Sequence, residues 1–410
     1  MTTTINNEHK KLNVPNLRFP EFQGEWEELG LSELLDFKNG LNPKLDKFGK
    51  GIKFISVMDI LNNAVITYDC IKASVDVTEK ELSDFSVEKG DILFQRSSET
   101  LEDVGRANVY MDDKTAVFGG FVIRGKKKGE YDPQYFNYLL RSPFARKRIV
   151  PMGAGAQHFN IGQEGLSKVN LHFANIKEQK KIGKMFSLLD ERIATQNKII
   201  EDLKKLKSAI RKHLFSRKDL LETTIRLADI AALKNGYAFQ SSKYDTKGKW
   251  KILTIANVSG ERYINDDDCN CIINLPNDIQ GHQVLKEGDI LISLTGNVGR
   301  VSLCKAGNNL LNQRVGLLCI TKNVNQEFLY QVLSSRRFEN SMVACGQGAA
   351  QMNIGKGDVE NFVLPYSSNA NNIHLVARIL HSYDECIINE QQDLTLLTMQ
   401  KQYLLDQMFI

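Results

Sequence analysis

The sequence contains no apolar run approaching the ~18 residues that a membrane span requires, and its start, Met1 to Lys11, is polar rather than a charged cap on an apolar segment. A cytoplasmic chain with no membrane association is expected. The seven cysteines, at positions 70, 269, 271, 304, 319, 345 and 386, are odd in number and scattered, with six in the second half. That is unlike a secreted disulfide framework, and reduced thiols are expected. Neither sign of charge prevails, since 53 Lys and Arg stand against 49 Asp and Glu, too small an excess to announce a polyanionic partner. Only 8 Pro and 29 Gly occur among 410 residues, of which 42% are hydrophobic. Fibrous repeats and wholesale disorder are thereby excluded, and the apolar content suffices for two or three cores.

Catalytic motifs are equally scarce. No dinucleotide glycine fingerprint follows a strand, and no Gly-x-Ser-x-Gly elbow occurs. The nearest phosphate-type loop, Gly120 to Lys126, has Lys127 where Ser or Thr should hold Mg²⁺, and its interior Phe121, Val122, Ile123 reads as a strand. An adenine methyltransferase needs an Asn-Pro-Pro-aromatic loop, but Asn42 and Pro43 are followed by Lys44. Cys269 with Cys271, His374 with His381, and the run Asp266 to Asp268 fit a buried thiol, solvated helix faces and a solvated loop better than metal sites. The expectation is a binder without catalytic residues, metal or cofactor of its own.

What is present is a duplication. Lys38, Asn39, Gly40 recurs as Lys234, Asn235, Gly236, and Gly90, Asp91, Ile92, Leu93 as Gly288, Asp289, Ile290, Leu291. Val104, Gly105, Arg106 returns as Val298, Gly299, Arg300, and the Gly-rich stretch with Asn160, Ile161, Gly162 as that with Asn353, Ile354, Gly355. Asp190, Glu191 and Ile193 return as Asp384, Glu385 and Ile387, always in order and at offsets of 193 to 198. Each copy opens with short β-rich runs, Gly90 to Gln95 and Ala116 to Arg124 in the first, Gly288 to Leu294 and Val315 to Thr321 in the second. A helical piece follows, Pro133 to Ile149 or Asn325 to Val343. Each copy closes on a Pro-free stretch with heptad-like apolar spacing, one long helix of ~55 Å.

The fold class expected is therefore α+β: two homologous mixed α/β domains joined by two long helices that form an antiparallel coiled coil. The divisions are 1–177, with an extension at 1–15, then helix 178–217, domain 218–372 and helix 373–410. The seam is read as Ile193, Ile200, Leu203 and Lys207 against Ile387, Glu390, Leu394, Leu397 and Lys401. Glu178 to Lys218 carries 12 basic against 5 acidic residues and Ile373 to Ile410 carries 2 against 5, so the helices attract. An antiparallel register with residue numbers summing to 597 puts Lys207 opposite Glu390, Gln196 opposite Lys401 and Ile200 opposite Leu397. A parallel register would bury Lys207 against Lys401. The alternative is that each helix docks on its own domain.

Candidate nucleic-acid contacts follow the repeated strand: Arg96, Ser97, Ser98 and Arg106 in the first copy, Thr295, Asn297 and Arg300, then Asn312, Gln313 and Arg314, in the second. Arg, Asn, Gln and Ser can read base edges in a major groove. The loops differ while the strands agree, as one scaffold reading two sequences would require, or as surface loops drift after duplication. The Gly-rich segments add Gln157, His158 and Asn160, and Gln351 and Asn353, either offering amides to phosphates or turning the chain toward the long helix. Lys126 and Lys127, with Arg124 and Lys128, and the cluster Arg141, Arg146, Lys147, Arg148 suit phosphates.

These features together resemble the specificity subunits of type I restriction-modification systems. The resemblance rests on Leu17, Arg18, Phe19, Pro20, Glu21, Phe22, Gly24 and Trp26, on the duplicated blocks, and on Glu178, Gln179 opening a helix that holds Leu189, Asp190 and Ile193. At the start of the second long helix the pattern departs, with Asn371, Asn372, Ile373. The resemblance implies two target recognition domains, each reading half of a bipartite site in double-stranded DNA. It also implies helices that act as spacer and dock two methyltransferase subunits. S-adenosylmethionine would belong to those partners, and ATP and Mg²⁺ to the associated restriction and translocation subunits. A self-sufficient enzyme and a tandem protein adaptor are the alternatives.

Overall fold

The computed structural model describes residues 13–346 and 352–410. The chain divides into two compact units, Met1–Asn197 with Asp393–Ile410, and Lys198–Gln392. Each unit thus holds one globular part and one portion of each long helix, rather than following four consecutive segments.

The first unit is built on a four-stranded antiparallel sheet of β1 (Leu35–Asn39), β2 (Ile92–Gln95), β3 (Ala107–Val109) and β4 (Val122–Lys127), in the order β1-β4-β2-β3. A smaller four-stranded sheet around Phe48–Ile55 and Ala116–Phe118 packs its own cluster of Ile55, Ile66, Leu93 and Phe118. The helical piece expected as one segment is two helices, α1 (Pro133–Arg141) and α2 (Pro143–Ile149). Pro143 cannot donate the hydrogen bond a continuing helix needs, so the chain restarts there. Asp132 and Ser142 cap the two starts by accepting from the Tyr135 and Ala145 amides.

The first long helix, α3, runs Ile176–Ser216, beginning two residues before the expected start because Asn175 caps it through the Glu178 amide, 3.0 Å. Glu178 is fully buried and takes both arms of Arg18 at 2.7 Å. Gln179 accepts from the Asp132 amide and donates to the Ala174 carbonyl. The Glu-Gln pair therefore ties the N-terminal segment, α1 and the long helix together.

The second unit repeats the plan with β5 (Ala231–Asn235), β6 (Ile290–Ser293), β7 (Val301–Leu303) and β8 (Val315–Ile320), in the order β5-β8-β6-β7. Its longer helices are α4 (Gln326–Leu333), α5 (Arg336–Cys345) and the long α6 (Ala370–Gln407). Where α6 starts, Asn369 accepts from the Asn371 amide in place of the Glu-Gln arrangement, and the helix begins three residues earlier than expected.

Within the first unit, α3 and α6 run antiparallel: Asp190 takes the Lys401 ammonium, while Phe186, one turn back, meets Phe409, ring centroids 5.8 Å apart. In the second unit Lys207 donates to Asp384. The expected register is corrected here, since Lys207 meets Asp384 where Glu390 was expected, and Lys401 meets Asp190 where Gln196 was expected. Both pairs sum to 591, not 597. The reason lies in the globular parts, which also approach these carboxylates: Tyr138 donates to Asp190 (2.7 Å), and Arg262 and Gln331 donate to Asp384 at 3.0 and 2.6 Å. The helix ends also sink into the globular cores, Ile182, Phe186, Leu405 and Phe409 in one unit and Leu214, Val376 and Leu380 in the other. Docking on the domain and pairing of helices occur together. Ile193, Leu203, Leu394 and Leu397 are partly buried, and Ile200 and Ile387 are buried.

Candidate nucleic-acid interface

Both sheets present one end to the loops singled out in the sequence. In the first unit Val122 pairs with Gln95, Ile123 with Asn39 and Phe94 with Ala107. The residues just beyond this end, Gly40, Arg96, Arg106 and Phe121, therefore emerge side by side. In the second unit Ser293 pairs with Val315, Asn235 with Gly316 and Ile292 with Val301, so Gly236, Leu294, Arg300 and Arg314 emerge in the same way.

The repeated Lys-Asn-Gly has a steric cause here. A Cβ on Gly40 would stand 2.0 Å from the Gly119 carbonyl oxygen, and one on Gly236 2.2 Å from that of Asn312. Only glycine lets this strand pass against the neighbouring turn. Gly105 and Gly299 carry positive φ, and a Cβ there would strike Ile149 or Met342 at 2.7 Å, so the loops before Arg106 and Arg300 close tightly on a helix.

The strand-end loop and the Gly-rich segment, two separate candidates in the sequence, form one surface. Ser97 and Ser98 pair antiparallel with Asn160 and Phe159, and the Ser97 hydroxyl donates to Asn160 Oδ1. The second unit repeats the tie: Thr295 bridges Asn353, and its hydroxyl donates to Asn353 Oδ1 at 3.0 Å. Ile161 and Ile354 amides then bond the Arg96 and Leu294 carbonyls, both 2.9 Å. Gln157 and His158 stand exposed at the tip of the Gly-rich turn, whose Gly155 has no room for a side chain, the His158 carbonyl lying 1.9 Å from a built Cβ. Gln351 lies outside the described residues.

Asn312, Gln313 and Arg314 precede β8, and the Arg314 carbonyl accepts from Leu294, 3.1 Å, placing this turn beside Thr295. The matching turn of the first unit is Gly119, Gly120, Phe121, whose last carbonyl accepts from Arg96 at 2.9 Å. Asn297 is exposed, while Arg106 and Arg300 are partly engaged by Asp103 (2.6 Å) and Glu339 (3.8 Å). The turn 119–121 was missed in the sequence because Phe121 read as strand interior; its counterpart at Asn312 to Arg314 was the available signal.

Of the basic clusters, Lys126 and Lys127 fall elsewhere, whereas Arg146 lies against the loop before Arg106 with its guanidinium spent on backbone carbonyls. Lys126 and Lys127 sit at the far end of β4, five residues from Val122 and so ~17 Å along the strand. Lys126 faces Glu88, and Lys127 donates to the Tyr131 carbonyl over its ring. Arg124 is buried and bonds the Ser86 carbonyl. Arg146 binds the Glu102 and Val104 carbonyls, its pKa pushed down to about 10 by burial, and Arg141 is lowered by the same cause. Arg148 holds Glu28 and the Asn170 carbonyl. These cations brace the unit internally. Asp266 is likewise structural, bridging Lys251 and Lys305.

Comparison with known proteins bears on this pattern. The sequence model of the family described as type I restriction modification DNA specificity domain matches twice, over residues 23–205 and 222–399. The type I restriction enzyme MjaVIII specificity subunit of Methanocaldococcus jannaschii is 24% identical over 377 residues, 85% of this chain and 83% of that one. Among solved structures, the S subunit of a type I restriction-modification system from M. genitalium superposes with a TM-score of 0.59 at 18% identity, over 97% of this chain and 99% of that one. A chain from structural work on complex assembly and conformational transition of the type I R-M system gives 0.57 at 14%, over 93% and 96%. Both solved structures share the fold.

Proposed function

We propose, from the premise that this chain belongs to the type I restriction modification DNA specificity family, that its two units each read one half of a bipartite site in double-stranded DNA. The observation that carries this reading is the duplicated sheet end. The same hydroxyl-to-asparagine tie, Ser97 to Asn160 and Thr295 to Asn353, holds different neighbours: Arg96, Gly120 and Phe121 in one unit, Leu294, Gln313 and Arg314 in the other. A shared frame with exchanged side chains is what two different half-sites demand, because phosphate contacts position a protein while base-edge contacts specify sequence.

The chemistry belongs to partners: two methyltransferase subunits with S-adenosylmethionine, and restriction and translocation subunits using ATP and Mg²⁺. The long helices dock the methyltransferases and set the number of base pairs between the halves, half-sites on one DNA face lying roughly a helical turn apart. Purified with a methyltransferase subunit, the chain should protect a gapped duplex site, with binding that falls steeply as salt rises. Binding that ignores DNA sequence and salt would refute the reading and favour a protein adaptor. Removing matched heptads from α3 and α6 should change the gap and leave both half-sites intact.

A further inference from the structure

We propose that Phe121 reads a thymine in the half-site of the first unit, by apolar contact with the 5-methyl group in the major groove. The inference rests on the DNA-reading function proposed above and names a residue within it. Phe121 is a large aromatic side chain left 68% exposed, and it stands where the reading end presents its side chains.

Its backbone is fixed on every side. The Phe121 carbonyl accepts from the Arg96 amide at 2.9 Å, and the Val122 amide donates to the Gly119 carbonyl at 2.8 Å. Both glycines of the turn are enclosed: a Cβ on Gly119 would meet the Phe54 ring at 2.6 Å, and one on Gly120 the Asn42 side chain at 1.9 Å. A turn held this closely presents the next side chain outward in one direction, and that side chain is a benzyl group.

The duplication supplies the comparison. Arg314 occupies the same place in the second unit, its carbonyl taking the Leu294 amide as that of Phe121 takes the Arg96 amide. Arg314 is exposed as well. In a major groove an arginine donates two hydrogen bonds to guanine O6 and N7, whereas a phenyl ring has no donor and matches the one apolar feature of a base edge, the thymine methyl. The two units thus carry different base chemistries at one equivalent position. Phe121 has no charge to attract a phosphate, so its contribution is to sequence discrimination.

The test uses the chain in complex with a methyltransferase subunit and duplexes carrying its recognised site. Thymines of the first unit's half-site are replaced one at a time by deoxyuracil, which deletes only the methyl. One substitution should weaken binding by the wild-type complex about fourfold, the effect of one buried methyl. Phe121→Ala should bind the unmodified duplex with that same weakening and be indifferent to deoxyuracil at that position, while Phe121→Leu should stay sensitive. Both variants should unfold as the wild type does, since the ring is mostly outside the core. If no thymine separates wild type from Phe121→Ala, or the half-site contains none, the inference fails while the two-reader account stands. Loss of the methyltransferase partner in Phe121→Ala with an unchanged half-site would overturn it in favour of protein docking. Absence of any gapped site for the wild-type complex would instead defeat the function on which it rests.

Discussion

Replacing Asp384 by asparagine should weaken the second unit far more than the equivalent change weakens the first. The Asp384 carboxylate takes three donors, Lys207, Arg262 and Gln331, and lies 8% exposed, as do the side chains of Lys207 and Arg262. Burial already pushes the Lys207 ammonium down to about 8 despite the adjacent carboxylate. With the carboxylate gone, Lys207 can shed its proton at pH 7, which limits its further loss to about 1.4 kcal/mol, one pKa unit. Arg262 cannot deprotonate, but it keeps both Glu327 oxygens at 2.9 and 2.6 Å and forfeits one charged hydrogen bond, about 1.5 kcal/mol. The asparagine still accepts from Gln331, so the total is about 3 kcal/mol. The two tryptophans fall one to each unit, Trp26 and Trp250, so urea unfolding followed by fluorescence in a Trp26→Phe background reports the second unit alone. Asp190→Asn is the control: Lys401 is 21% exposed and can turn to water, so its loss should stay near or below about 1 kcal/mol. A change under about 1 kcal/mol for Asp384→Asn, or equal changes for both variants, would refute the reasoning.

The same lysine gives a pH signature. Its folded pKa lies below its unfolded value of 10.5, so the folded state releases a proton that the unfolded state retains between about pH 8 and 10.5. Stability should therefore rise with pH across that window, on the order of 2 to 3 kcal/mol relative to Lys207→Met, which has nothing to titrate; unfolding curves that stay parallel from pH 8 to 10 would contradict this. Gly236→Ala should force the Asn312 turn away from its strand, lowering the second unit's thermal midpoint and degrading only the half-site that unit reads. Retention of both would show that the 2.2 Å approach is relieved at no cost.

The duplication, the mixed α/β make-up of each copy and the antiparallel sense of the helices were legible in the sequence, because ordered motif matches at one offset, alternating β-rich and helical runs, and the polar interruptions of the apolar stripe mark those features locally. The register was not. Counting only the stripe matched Lys207 with Glu390, whereas Asp384 gathers Arg262 and Gln331 from the globular part, residues 122 and 53 positions away. Likewise the loop chemistry at Ser97 and Thr295 was visible, but its union with Asn160 and Asn353 depends on a short antiparallel ladder between segments 63 and 58 residues apart. The basic clusters misled because guanidiniums such as those of Arg124 and Arg146 satisfy buried carbonyls, a use of charge that composition cannot distinguish from phosphate binding. The start of α6 shows the reverse: Asn369 supplies a cap by different residues, and the helix forms all the same.

The central claim, that each unit reads its own half of one gapped site, is tested most directly by mapping methylated adenines by single-molecule sequencing on genomic DNA from cells co-expressing a methyltransferase subunit with the wild-type chain, with an Asn160→Ala variant, or with an Asn353→Ala variant. The expected result is one bipartite motif whose halves relax separately, one in each variant, with the gap unchanged. A motif without a gap, or both halves altered together by either substitution, would contradict the account.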